Sequence, residues 1–394
     1  MDLTLETGAW LLLTAAVVAM ITRRFRLPYS IGLVSAGILL AFLPFAPQAA
    51  LTKDLLFTAL LPPLLFEAAF SISWEELRRD FAIVTVLATV GVALAAAVTA
   101  TGMHIAAGWP WIGSLAFGVL IAATDPVSVI ATFREAKARG RLLLLIETES
   151  LFNDGTAAVA FSVVIAAAAG QNGSPGGIVL LLAQSIGGGF LCGAAVAMAA
   201  LLLVGRTDDH LVEITVTTVA AYGSFLLANH FQLSGVLATI TAGIFMRNFR
   251  ALGAISDRGR EAVDAFWEYA AFVATSLIFL LMGMRVAHQD LLAFWKPAAL
   301  AIVLVTVGRA LAIYLSCWPF ARSSQRVPFE QQNILFWGGL RGALALALAL
   351  GLPAGIPRAQ AIVTVTFAVV AFSIFVQGLT IAPLVRRAAG AQPR

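Results

Sequence analysis

The sequence predicts an all-α polytopic membrane protein. Three observations carry that prediction: an apolar excess, a succession of runs long enough to cross a bilayer, and basic residues that alternate between those runs. Of 394 residues, 60% are hydrophobic and 12% charged, and the mean hydropathy is +0.92. Soluble domains are about 45–50% apolar and about 25% charged. Half the usual charge cannot cover a surface this large, so lipid must solvate most of the chain. The net charge of +4 fits the basic surplus of cytoplasmic loops in membrane proteins, and nucleic acid is set aside as a partner.

A helix needs about 20 apolar residues to cross the hydrocarbon layer. That ruler gives thirteen spans, at 5–22, 28–45, 53–73, 81–103, 111–133, 142–169, 176–204, 211–229, 234–247, 263–284, 291–319, 331–351 and 359–385. Short loops separate them, so 1–394 reads as a single transmembrane domain with no soluble C-terminal domain. Asp2 and Glu6 precede the first run where a cleavable signal would be basic, so that run reads as a retained span. Loops after odd-numbered spans hold nineteen of the 25 Lys and Arg residues; Lys53, Arg285, Lys296 and Arg358 lie on the other side, and Arg309 and Arg341 lie within spans. Positive charge stays cytoplasmic. The N-terminus is therefore expected outside the plasma (inner) membrane and the C-terminus inside, which requires an odd number of spans.

Two spans are interrupted. The fifth breaks at Ala123-Thr124-Asp125-Pro126 and the twelfth at Gly338-Gly339-Leu340-Arg341-Gly342. Proline removes a backbone donor, and glycine is a weak helix former. If 1–169 and 211–394 are two repeats joined by a linking helix at 176–204, each break falls in the fifth helix of its repeat, and the repeats are inverted. Paired breaks at corresponding positions of an inverted repeat point to a transporter's binding site.

Ionisable side chains inside a bilayer cost from about 2.5 kcal/mol upwards and are functional by default. Here they are Glu67, Asp125, Glu147, Glu149, Asp154, Arg309 and Arg341. Ser150 and Asp154 are four residues apart and share a helical face; Glu149 and Asn153 share the adjacent one. Hard monovalent cations take oxygen ligands, and a broken helix supplies carbonyls around Thr124, while Asp125, Asp154, Ser150 and Glu67 supply side-chain oxygens. A buried carboxylate is neutralised by a proton or by a cation, and each passenger excludes the other, which is the chemistry of antiport. The plainest reading of Asp125, a turn residue before Pro126, does not explain the expense of burying it. Glu149 reads as one half of a structural ion pair with a partner such as Arg309. Arg341 either caps carbonyls at the break or balances the site's charge, and Glu67 either binds the ion or supports residues that do. Glu147 lies near the cytoplasmic end and reads as interfacial.

Other classes find less support. Cys192 and Cys317 match no metal spacing, the four histidines fall near the ends of apolar runs, and no Gly-Lys-Ser/Thr phosphate loop appears, so neither nucleotide nor cofactor is expected. An intramembrane aspartyl protease would also need two buried aspartates, yet nothing beside Asp125 and Asp154 suits a shared proton. A channel needs a continuous pore rather than a blind midplane site. Nothing here marks an enzyme.

Five segments resemble the NhaP-type Na⁺/H⁺ antiporters of the monovalent cation:proton antiporter superfamily, relatives of eukaryotic sodium/proton exchangers. They are Leu61-Pro62-Pro63-Leu64-Leu65-Phe66-Glu67, Thr124-Asp125-Pro126-Val127, Glu149-Ser150-Leu151-Phe152-Asn153-Asp154-Gly155, Phe266-Trp267-Glu268 and Gly338-Gly339-Leu340-Arg341-Gly342-Ala343. The resemblance implies thirteen helices in a dimerisation domain and a six-helix core, with spans five and twelve crossing near the midplane, and a homodimer. It implies that Asp154 binds Na⁺ or Li⁺ and the proton, with Asp125, the Thr124 carbonyl, Ser150 and Glu67 around it. Asn153 would steady the site, and Glu149 would pair with an arginine of span eleven, which matches Arg309. The Asn-Asp order implies electroneutral exchange, and a K⁺/H⁺ exchanger of the same fold is the alternative. Family members often carry Asn in span ten where Thr275-Ser276 stand here, and the long cytoplasmic tail of many relatives is not expected. Salt tolerance, pH homeostasis and sodium-gradient use all fit one such exchanger.

Overall fold

The computed structural model describes residues 5–25, 27–43, 51–127, 129–130, 133, 140–170, 174–204, 209–248 and 257–390, and these form helices and their connections with no strand among them. The helices are α1 (Leu5–Phe25), α2 (Tyr29–Ala41), α3 (Leu61–Ser71), α4 (Trp74–Ala107), α5 (Trp111–Leu120), α6 (Arg141–Ala168) and α7 (Pro175–Val204). They continue with α8 (His210–His230), α9 (Gly235–Asn248), α10 (Asp257–Ala287), α11 (Trp295–Cys317), α12 (Phe329–Trp337) and α13 (Ala343–Leu350). The last, α14, runs from Ala359–Phe372 through a π turn at Ser373–Gln377 into Gly378–Gly390. Eight of them (α1, α4, α6, α7, α8, α10, α11 and α14) are long and apolar enough to cross a bilayer, and α2, α5 and the segment Leu55–Ser71 are shorter apolar helices.

Proline marks several of the starts. Pro28, Pro110 and Pro328 stand immediately before α2, α5 and α12, where the missing N–H breaks no helical bond and φ is already set. Pro62 and Pro63 sit in the first turn of α3 for the same reason, and the preceding turn, Leu55–Leu60, is a π turn. The span expected to begin at residue 81 begins as helix at Trp74. Glu75 and Glu76 occupy its first turn, where carboxylates suit the positive end of a helix, so a polar stretch is helical beyond the apolar run.

The chain divides into two units. The first holds Met1–Lys53, Ala82–Asn153 and Thr275–Arg394, the second Asp54–Phe81 and Asp154–Ala274. Both α6 and α10 contribute to each. In the first unit α4 packs on α5 and α11, and α14 packs on α11 and α13. α2 and α10 meet backbone to backbone. A Cβ on Gly37 would strike the Leu280 carbonyl, and one on Gly283 the Val34 carbonyl. Small residues at such crossings suit lipid, where packing rather than water exclusion drives association. In the second unit α3, α8, α9 and the first half of α10 bury Phe66, Phe70, Met246 and Trp267 together. The Phe66 and Trp267 rings lie 4.5 Å apart between centroids, and the buried Trp267 indole donates to Thr217 Oγ1 at 3.0 Å.

Candidate ion site at the interrupted helices

Both expected breaks are present in the first unit. α5 ends at Leu120, the chain is non-helical over 123–126, and helix resumes from Val127, with the Ile130 N–H donating to the Pro126 carbonyl at 2.8 Å. α12 ends at Trp337 and α13 begins at Ala343. Each break leaves carbonyls without partners on one side and N–H groups without partners on the other, and the two breaks satisfy one another. The Asp125 N–H donates to the Leu340 carbonyl at 2.8 Å. Arg341, 2% exposed, donates through Nη1 to the carbonyls of Ala122 at 2.8 Å and Ala123 at 3.1 Å. Of the two readings open for Arg341, carbonyl capping is thus what its contacts display.

Asp125 serves the opposite ends. Its Oδ1 accepts the Val127 N–H at 3.0 Å, as an N-cap does, and its carboxyl group lies against Gly342, the residue before α13, where the helix end is positive. Gly342 makes this approach possible, since a Cβ there would occupy the space of the Asp125 carboxyl group. Gly342→Ala is accordingly expected to reduce ion transport at least about tenfold by displacing Asp125, the loss of roughly 1.4 kcal/mol or more of positioning. Initial transport rates in proteoliposomes, normalised to inserted protein, check this.

Around Thr124 four buried polar side chains connect. The Ser150 hydroxyl donates to the Thr124 carbonyl, and the two hydroxyl oxygens lie 3.1 Å apart. Asn153 Nδ2 donates to Thr124 Oγ1 at 2.9 Å and to Glu149 Oε1 at 3.3 Å. Glu149 and Arg309 form a two-pronged ion pair, Nη1 to Oε1 at 2.8 Å and Nη2 to Oε2 at 2.9 Å. Arg309 Nη2 also reaches the Leu335 carbonyl at 3.0 Å, near the end of α12. The Thr124 carbonyl carries the Ser150 hydroxyl, although a carbonyl oxygen has a second lone pair. Asn153 Oδ1 is buried with no hydrogen-bond partner among the described residues.

The first unit thus brings together Thr124, Asp125, Glu149, Ser150, Asn153, Arg309 and Arg341. Asp154, the next residue along α6, and Glu67 on α3 belong to the second unit, and both are half-buried. Ser276, of the Thr275-Ser276 pair, has its hydroxyl 2.7 Å from that of Tyr29 on α2. A residue that sequence reasoning missed is Ser373, whose Oγ accepts the Arg341 N–H at 3.0 Å. A serine within an apolar run carries no signal of such a role. Ser373 also lines a small cavity with Thr306, Arg309, Arg341 and Gln377.

Helices crossing lipid, with two mid-span interruptions hydrogen-bonded to each other and buried charges beside them, define a membrane transporter. Residues 12–387 match the family model described as sodium/hydrogen exchanger, transmembrane, and the chain belongs to that family. It is 35% identical over 378 residues to the Na⁺/H⁺ antiporter ApNhaP of Aphanothece halophytica, covering 95% of this chain and 72% of that protein. It is 36% identical over 361 residues to the low-affinity Na⁺/H⁺ antiporter NhaS1 of Synechocystis, covering 90% and 68%. With the Na⁺/H⁺ antiporter NhaH of Halobacillus dabanensis identity is 31% over 400 residues, covering 98% of each. The fold is that of the sodium proton antiporter MjNhaP1 from Methanocaldococcus jannaschii, with a TM-score of 0.79 at 20% identity over 98% of both chains.

Proposed function

We propose that this protein is a secondary antiporter that exchanges Na⁺ or Li⁺ for H⁺ by alternating access, with Asp154 as the carboxylate that takes either passenger. The observation carrying this reading is the mutual hydrogen bonding of the two breaks through Asp125, Leu340 and Arg341, in a chain whose relatives are named Na⁺/H⁺ antiporters. Thr124, Asp125, Ser150 and Glu67 supply the further oxygens for the ion. Asn153, Glu149, Arg309 and Arg341 support the site. Glu149 is held by Arg309 and so is not the carrier. The Asn153-Asp154 order, as in the relatives it resembles, favours one-for-one, electroneutral exchange over a cycle that carries two protons. Ion gradients drive it, with no cofactor and no ATP. Nothing in the geometry favours K⁺/H⁺ exchange.

The same reading covers the architecture. The basic-residue asymmetry supports thirteen spans with the N-terminus outside and the C-terminus in the cytoplasm. The placement of the breaks supports two inverted repeats. A core domain, a dimerisation domain, a homodimer in the plasma membrane and a role in salt and pH homeostasis are drawn from the family.

The test is a ΔpH dye-quench measurement in everted vesicles, titrating Na⁺, Li⁺ and K⁺ across pH. Na⁺ and Li⁺ are expected to dissipate the proton gradient and K⁺ to leave it. In the acid range the Na⁺ concentration giving half the maximal response should rise towards about tenfold per pH unit, because protons occupy the site by mass action. A Na⁺ affinity that does not change with pH contradicts competition, and a response to K⁺ alone contradicts the choice of ion.

A further inference from the structure

α14 touches the interrupted span α12–α13 at two points, Arg341 within the break and Trp337 at the end of α12. Ser373, 1% exposed, opens the π turn Ser373–Gln377. A π turn admits an extra residue, shifts the register of the helix beyond it and recurs at functional sites. The Ser373 hydroxyl oxygen accepts the Arg341 N–H at 3.0 Å. Its single proton faces two carbonyls, that of Val370 at 2.9 Å and that of Arg341 at 3.3 Å. Two turns further on, Thr380 Oγ1 accepts the indole N–H of Trp337 at 2.8 Å, and Trp337 is the last residue of α12.

The Arg341 N–H is a donor that the break strips of a helical partner, and it is buried where water cannot replace one. Ser373 supplies the partner. The backbone that Ser373 holds also holds Asp125: the preceding carbonyl, of Leu340, accepts the Asp125 N–H, and the Arg341 guanidinium caps Ala122 and Ala123. The hydroxyl proton can serve Val370 or Arg341 but not both, so rotation about one bond loosens or tightens the grip on the break without unpairing the Arg341 N–H.

Resting on the antiport reading above, we propose that Ser373 is a positioning residue. By holding the Arg341 backbone it fixes the break in the second interrupted span, and through it Asp125, in the arrangement that takes the cation. It acts through Arg341 and does not touch the ion.

The test uses full-length protein in proteoliposomes, reading KM for Na⁺ and kcat separately for Ser373→Ala, Ser373→Thr, Ser373→Cys and Thr380→Val. Ser373→Ala is expected to raise KM about tenfold, the scale of one buried donor left unpaired, with kcat changed less than KM. Ser373→Thr keeps the hydroxyl and should stay within about twofold of the wild type, as should Thr380→Val at its exposed position. Ser373→Cys, a weaker acceptor, should lie between, and it serves as the readout if the alanine variant does not insert. A wild-type KM in the inserted alanine or cysteine variant overturns the proposal. So does a loss confined to kcat and equal in the alanine and threonine variants. If the wild type itself moves no protons in response to Na⁺, the antiport reading fails instead.

Discussion

In everted vesicles carrying Asp154→Asn, Na⁺ is expected to leave an imposed proton gradient untouched at every pH, while the protein inserts at wild-type levels. The substitution is nearly isosteric but removes both functions required of the position. An amide neither binds a proton in the working pH range nor offers the full negative charge that offsets the dehydration of an alkali ion. The effect is therefore complete loss rather than a shift in affinity. The neighbouring Asn153 shows how the two chemistries differ in this helix. Its amide nitrogen donates to Thr124 and Glu149, a bracing role that needs no charge. Retained exchange in Asp154→Asn would place the carrier elsewhere, with Asp125 the next residue to change.

Arg309→Ala is expected to have the largest effect on stability. It would leave the Glu149 carboxylate, 2% exposed, without its guanidinium, and removing one partner of a buried pair costs about 3–5 kcal/mol. It also strips the Leu335 carbonyl of its bond. Arg309→Lys retains the charge but not the two-pronged geometry, so its melting temperature in detergent should fall between those of the wild type and Arg309→Ala. The double variant Glu149→Gln, Arg309→Met should be more stable than Arg309→Ala, because it removes the orphaned charge as well as the bond. Equal melting temperatures for Arg309→Ala and the wild type would remove the pair from any structural role.

The two breaks were legible because Pro126 and the three glycines of Gly338–Gly342 are backbone signals that lipid does not blur. Buried charge was legible for a related reason: an acid in an apolar run demands a partner, and the sequence offered only Arg309 and Arg341. Spacing could not choose between them, because that depends on which helices lie side by side. The geometry gives Arg309 to Glu149 and turns Arg341 to the carbonyls of the other break. The π turns at Leu55–Leu60, Leu87–Gly91 and Ser373–Gln377 left no mark in composition, since an inserted residue in an apolar helix is one more apolar residue. The role of Ser373 was hidden because a lone serine in an apolar run does not reveal which backbone it will meet. The helical stretch 74–80 was missed because a hydropathy ruler stops where charge begins, whereas a helix does not.

Protons released on cation binding give the most direct measurement of the central claim. Purified protein in weakly buffered detergent solution, at a pH where the site is largely protonated, is titrated with NaCl against a choline chloride control while bound Na⁺ and free H⁺ are both monitored. One proton should leave for each Na⁺ bound, and both signals should vanish in Asp154→Asn. Na⁺ binding that releases no proton in the wild type would mean that the two ions do not share a carboxylate, and the exchange mechanism described here would be wrong.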